Sequence, residues 1–187
     1  MDTFADAMGD RFCEGMRLLD YGCGSGRFGA YMAARLKDFR YWGFDLPEPV
    51  SRWRKEQAAL DLDSRYEGFY PLHQIEKTTA IADATDVLLL SILTHLSHGA
   101  LFSILARVLP ILSRGGYMHA SLFLGDRPAL YAAKNYGEDG LPVYWRRVVY
   151  TEDAFEEACT SLGLVWKRTG KWIKKWEQVI VSIRRGP

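Results

Sequence analysis

Two carboxylates frame the part of this sequence most able to do chemistry. Asp20 closes the apolar run Met16-Arg17-Leu18-Leu19, and Asp45 closes Tyr41-Trp42-Gly43-Phe44. Between them stand Gly22, Cys23, Gly24, Ser25 and Gly26, with Gly29 just beyond, so four of eight consecutive residues are glycine. Glycine lets a backbone turn sharply and approach a ligand with no Cβ in the way. A carboxylate at the position of Asp45 is spaced to accept hydrogen bonds from both hydroxyls of a ribose. One glycine would be an ordinary tight turn; four beside two acids point to a nucleoside-binding loop.

These residues need particular elements to hold them. The order reads as strand, glycine turn, helix and second strand, which places the acids and the loop at the carboxyl ends of parallel strands, where open α/β sheets bind ligands. Helical spacing lines up Phe28, Tyr31, Met32 and Leu36 after the loop. A short helix is expected over residues 3 to 14, another over 52 to 60, and a short third strand near 69 to 72. Asp86-Val87-Leu88-Leu89-Leu90 reads as a central strand covered on both faces. A helix then runs through Leu101, Leu105 and Val108, which Pro110 should interrupt. Gly115-Gly116 leads into a fifth strand over 117 to 124. Thr151 caps a helix with Glu152 and Asp153 in its first turn, and Gly163 ends it. Strands near 164 to 166 and 178 to 183 have no crossover between them, so they must pair as an antiparallel hairpin. The sum is an α/β fold: a Rossmann-like, mostly parallel seven-stranded sheet with helices on both faces and an antiparallel C-terminal hairpin.

Gly24-x-Gly26-x-x-Gly29 also satisfies the dinucleotide fingerprint. Asp20 discriminates, because a carboxylate beside the loop repels a pyrophosphate but favours an ammonium or a sulfonium. The terminal antiparallel hairpin points the same way. The run D-Y-G-C-G-S-G resembles the first motif of class I S-adenosylmethionine-dependent methyltransferases, and Gly43-Phe44-Asp45-Leu46 resembles their second. Ser91-Ile92-Leu93-Thr94-His95-Leu96 resembles the S-V-F-T-H-L segment that follows strand four in a bacterial group of these enzymes. The resemblance covers residues 17 to 124. It departs where that group has R-V-L-K-P-G-G, since Arg107-Val108-Leu109 is followed here by Pro110-Ile111-Leu112-Ser113-Arg114-Gly115-Gly116. It implies S-adenosyl-L-methionine as cofactor, with Gly22, Cys23, Gly24 and Gly26 about its methionyl part. Asp20 would support the amino group, Asp45 with Leu46 would lie at the ribose, and Ser91 would offer its backbone. The sequence does not identify the acid that meets the adenine; Asp83 is a candidate, but a surface turn suits it better.

If the methyl acceptor is a hydroxyl or a protonated amine, a general base helps, and histidine is suited to neutral pH. His95, just past strand four, is the residue expected in that catalytic role; it would otherwise cap the next helix or fill a polar pocket. His119 reads as a hydrogen-bonded core histidine and His98 as an exposed one. Residues 125 to 150 form an expected substrate lid, carrying Tyr131, Tyr136, Tyr144 and Trp145 with Arg127, Arg146 and Arg147. Such rings and guanidinium groups can bind an acceptor or pack the lid onto the sheet.

With 187 residues the chain suits a single domain over 1 to 187. It has no room for a separate substrate domain, and its short lead-in leaves open an origin within a larger protein. A formal charge of +1 gives no general attraction to nucleic acid or membrane. No apolar run approaches the roughly 20 residues of a membrane span. Cys13, Cys23 and Cys159 follow no zinc or disulfide spacing and read as reduced thiols of a cytoplasmic protein; no metal is expected. The absence of a D/N-P-P-Y motif speaks against methylation of a DNA base. Lys167, Arg168, Lys171, Lys174, Lys175, Arg184 and Arg185, interleaved with Trp172 and Trp176, could bind RNA, although lysines also guard edge strands. The expected activity is methyl transfer to an oxygen or nitrogen of a small-molecule or glycan-like acceptor. An RNA methyltransferase and a catalytically inactive interaction module are the alternatives.

Overall fold

The computed structural model describes residues 1–48, 51, 66–77, 84–136, 142–173 and 177–187. The helix expected over 52 to 60, Asp83, and Lys174, Lys175 and Trp176 lie outside the described residues. So do the side chains of Tyr136, Tyr144, Trp145 and Arg146.

Alternation along the strands decides the architecture. Leu18 and Leu88 face one side of the sheet, while Leu19, Val87 and Leu89 face the other, all fully buried. Helices therefore cover both faces. On one, α1 (Asp2–Met8) and α2 (Arg27–Ala33) pack Phe4, Met8, Phe28 and Met32 against Leu18, Tyr41, Leu88 and Ile180. On the other, α3 (His98–Val108) and α4 (Glu152–Thr160) bury Leu101, Leu105, Phe155 and Cys159 against Leu19, Val87, Met118 and Val181.

The strands are β1 (Met16–Tyr21), β2 (Phe39–Asp45), β3 (Tyr66–Pro71), β4 (Ala84–Leu89), β5 (Leu112–Leu124), β6 (Ala129–Tyr136), β7 (Pro142–Tyr150), β8 (Leu164–Ile173) and β9 (Gln178–Arg185). They run in the order β3-β2-β1-β4-β5-β7-β6, with β9 also on β5 and β8 on β9. β1 pairs parallel with β2 and β4, β2 with β3, and β4 with β5. β5 and β9 are antiparallel, as are β8 and β9. The expected mostly parallel sheet and its terminal hairpin are present.

The sheet has nine strands rather than seven, because the segment expected as a lid is itself a hairpin of β6 and β7. β9 occupies the flank of β5 from Tyr117 to Leu122, and β7 takes over at Phe123 and Leu124, parallel to β5. Gly115 and Gly116 lie inside β5, which begins at Leu112 after a 3-10 turn over Leu109–Ile111 that carries Pro110. A Cβ at Gly116 would come within 2.8 Å of the Thr85 carbonyl. Gly116 thus allows close strand packing, while Gly115, in open space, supplies a φ of +92°; neither starts the strand. Among the described residues no helix is long and apolar enough to cross a membrane.

Candidate active site

At the carboxyl ends of β1 and β4, on the side covered by α1 and α2, lies a cleft of about 440 Å³. Asp20, Gly22, Cys23, Gly24 and Ser91 all line it, so five of the expected cofactor residues meet in one place. The loop is sewn to the end of β2. The Phe44 carbonyl accepts hydrogen bonds from the N–H groups of Gly22 (2.6 Å) and Cys23 (3.0 Å). Asp45 Oδ2 accepts one from the Gly24 N–H (2.5 Å) and Asp45 Oδ1 one from the Leu46 N–H (2.6 Å). Asp45 is thereby fixed beside the loop with lone pairs remaining on both oxygens. Leu46 follows as a 61% exposed side chain at the rim. Gly26 stands behind the loop at the N-terminus of α2.

Two glycines are required, for different reasons. Gly22 has φ +81°, and a Cβ there would sit 2.0 Å from Ile92 Cδ1. Gly24 has φ +55° and no heavy atom within 4 Å of its would-be Cβ, so its backbone is open to the cleft. Only the first is excluded by neighbours; the second leaves room for a ligand to approach the peptide.

Asp20 is only 3% exposed, and the Tyr41 hydroxyl donates to its Oδ2 at 2.6 Å. Burial pushes its carboxyl up to about 7; the Tyr41 hydrogen bond opposes the rise and the charge of Asp45 adds to it. A buried carboxyl with unused acceptor capacity suits a cationic group. Cys23 is also held protonated, first by burial and then by Asp20 and Asp45, so it is no nucleophile. Its Sγ and the Phe69 ring fill the space a side chain at position 43 would need.

Ser91 carries more structure than its sequence suggested. It adopts φ +58°, a left-handed conformation costly for a non-glycine residue. Three contacts hold it there: its N–H donates to Ser121 Oγ (2.8 Å), its carbonyl accepts from Thr94 Oγ1 (2.6 Å), and its hydroxyl lies 3.3 Å from Gln178 Oε1. Arg27, at the first position of α2, also lines the cleft. The sequence signalled neither Gln178 nor Ser121, because their importance comes from β9 and β5 meeting the end of β4. Arg27 could have been noticed as the basic residue directly after the glycines.

His95 is not brought to this cleft. It ends a 3-10 turn over Leu93–His95 and lines a second cavity of about 280 Å³, together with Ser97, His98 and the base of the β6–β7 hairpin. It does not cap α3; Ser97 does, accepting from the Ala100 N–H at 3.3 Å. His98 is exposed at the start of α3. His119 is a core histidine, with Nε2 2.9 Å from Asp86 Oδ1 and Nδ1 3.3 Å from Ser182 Oγ. Arg11 completes this cluster, donating to both oxygens of Asp86.

In the expected lid, Arg147 stacks on the Phe123 ring at 3.9 Å and pairs with Glu177, while Tyr131 is exposed. In the basic hairpin, Arg168 pairs with Glu152, and Arg185 donates to the Leu109 and Leu112 carbonyls. Those two arginines are engaged within the fold.

No protein-family model matches the sequence, and no curated protein sequence matches it. Solved structures do. An S-adenosylmethionine-dependent methyltransferase from Clostridium acetobutylicum ATCC 824 aligns with all of this chain and 92% of its own, at 14% identity and a TM-score of 0.66. The mitomycin 7-O-methyltransferase MmcR aligns with 99% of this chain at 17% identity and a TM-score of 0.69, the match spanning 53% of its own length. The glycopeptide N-methyltransferase MtfA, complexed with sinefungin, aligns with all of this chain and 92% of its own, at 15% identity and a TM-score of 0.65. The chain has the fold of the class I S-adenosylmethionine-dependent methyltransferases.

Proposed function

We propose that this chain binds S-adenosyl-L-methionine in the cleft and transfers its methyl group to an oxygen or nitrogen of a small-molecule or glycan-like acceptor. One observation carries the reading: the Asp20 carboxyl, buried in the wall of the cleft, directly precedes a glycine loop whose Gly24 peptide is open to it. In this reading Asp20 accepts from the ammonium of the methionyl part and Arg27 meets its carboxylate. The Gly22 to Gly24 backbone borders the chain between them. Asp45, already held by the Gly24 N–H, accepts from the ribose hydroxyls, and Leu46 covers the nucleoside at the rim. Ser91, fixed by Ser121 and Gln178, presents backbone to the sulfur end. When bound, the cofactor supplies a methyl carbon activated by sulfonium. The protein's task is alignment of the acceptor at attacking distance, which can supply several kcal/mol. His95, four residues beyond Ser91, is the general base.

The fold neighbours include O- and N-methyltransferases, which supports the reaction class. Isothermal titration with S-adenosylmethionine and S-adenosylhomocysteine tests it. Binding in the micromolar range or tighter is expected, weakened at least tenfold by Arg27→Ala and abolished by Asp45→Ala. A chain that binds neither compound is an interaction module instead.

A further inference from the structure

The second cavity is where the acceptor can be read. Its walls come from two places that the fold brings together: His95, Ser97 and His98 around the start of α3, and Pro128, Leu130 and Val148 at the base of the β6–β7 hairpin. Its volume of about 280 Å³ lies at the lower edge of small-ligand sites, which span roughly 300–1,000 Å³. That favours a compact molecule over a polymer.

The floor is rigid. The Tyr150 hydroxyl donates to the Leu93 carbonyl (2.9 Å) and the Leu96 carbonyl (2.6 Å), locking the turn that carries His95. The His98 ring stands edge-on to Tyr150 at 4.8 Å. The cavity adjoins the proposed cofactor site along the chain: Ser91 lines the cleft, Ile92 packs onto Gly22, and His95 comes three residues later. Four residues span at most about 14 Å even when extended, and here they are coiled into a turn.

The lining also selects chemistry. Among the described residues it holds no carboxylate, ammonium or guanidinium. A protonated amine would meet no carboxylate there, and a carboxylate would meet only the two imidazoles. Apolar walls with imidazoles at one end match an uncharged, apolar ring that carries a hydroxyl.

We infer that this cavity seats a neutral phenol-type acceptor, which the enzyme methylates at oxygen with His95 as base. The inference rests on the cofactor reading above. In the step, the acceptor oxygen bonds to the methyl carbon of S-adenosylmethionine. The carbon–sulfur bond breaks with its electron pair kept by sulfur, which becomes a neutral thioether. The hydroxyl proton passes to the His95 imidazole and then to solvent.

Three probes of one shape test this: naphthol, naphthylamine and naphthoate. Each is titrated by fluorescence into the chain saturated with S-adenosylhomocysteine, and methyl transfer from S-adenosylmethionine is followed by mass spectrometry. Naphthol should saturate and bind at least tenfold more tightly than naphthoate, and it alone should be methylated. Leu130→Asp, at a 65% exposed position where folding is not at stake, should weaken naphthol at least tenfold without changing the affinity for S-adenosylhomocysteine. His95→Gln should leave naphthol bound and slow its methylation about 100-fold. The inference is overturned if S-adenosylhomocysteine binds but naphthol does not saturate, is not methylated, or is indifferent to Leu130→Asp. Failure of S-adenosylhomocysteine to bind wild type would instead remove the cofactor reading beneath it.

Discussion

Asp20 ties the proposed cofactor site to pH. The folded protein holds its proton more tightly than the unfolded chain, since burial raises the carboxyl to about 7. Its contribution to stability is therefore intact below the ordinary carboxylate range and lost as pH rises through about 7. Asp20→Asn removes that loss. The variant should be more stable than wild type at pH 8, by at most about 4 kcal/mol, and equal to it near pH 4, as read by urea denaturation. Binding shows the opposite preference, because a cationic ligand favours ionised Asp20. Affinity for S-adenosylmethionine should fall about tenfold per pH unit below about 7 and level off above it. Titrations across that range should show no such slope in Asp20→Asn; a slope that survives the substitution would assign the proton elsewhere. The residues that frame the cleft were legible because glycine spacing and strand-end acids are local signals. Ser91's left-handed backbone and the support from Ser121 and Gln178 were not, because that contact joins positions 30 and 87 residues apart.

At the scale of elements, caps and alternation were readable and pairings less so. Thr151 caps α4 as expected, its hydroxyl oxygen accepting from the Ala154 N–H at 3.2 Å. Thr151→Ala should cost about 1 kcal/mol, seen as a melting temperature lower by about 2–4 °C. The apolar run of β4 announced a strand buried on both faces, and Val87 and Leu88 occupy opposite cores. The β6–β7 hairpin escaped notice because its aromatic and basic residues advertised a lid. What makes it strand is eight residue pairs between Ala129↔Val149 and Tyr136↔Pro142, a long-range property of the folded chain. The same limit applies to Gly115 and Gly116, whose pattern suits a turn until Leu112 is found paired with Ala84.

For the whole molecule, one ion cluster links the N-terminal segment to the middle of the sheet. Arg11, in the 3-10 turn after α1, holds both oxygens of Asp86 and the Thr85 carbonyl. Burial alone would raise the Asp86 carboxyl, but hydrogen bonds from His119 and Arg11 outweigh it and hold the group below its ordinary 3.8. Stability from this cluster is present above that value and lost as pH falls through the lowered one. Arg11→Met should cost about 1.5–3 kcal/mol at neutral pH, shrinking below about pH 4. Because Met1 and, from α1, Thr3 and Phe4 line the cleft, the same variant should release S-adenosylhomocysteine faster in stopped-flow displacement. The forked edge of β5 has a different consequence. Phe123↔Val149 and Leu124↔Tyr150 are the only rungs by which the β6–β7 ribbon joins the parallel sheet among the described residues, whereas the glycine loop is woven into its centre. Substitutions within that ribbon should therefore reshape the second cavity it helps to line while leaving the pairing around the glycine loop in place.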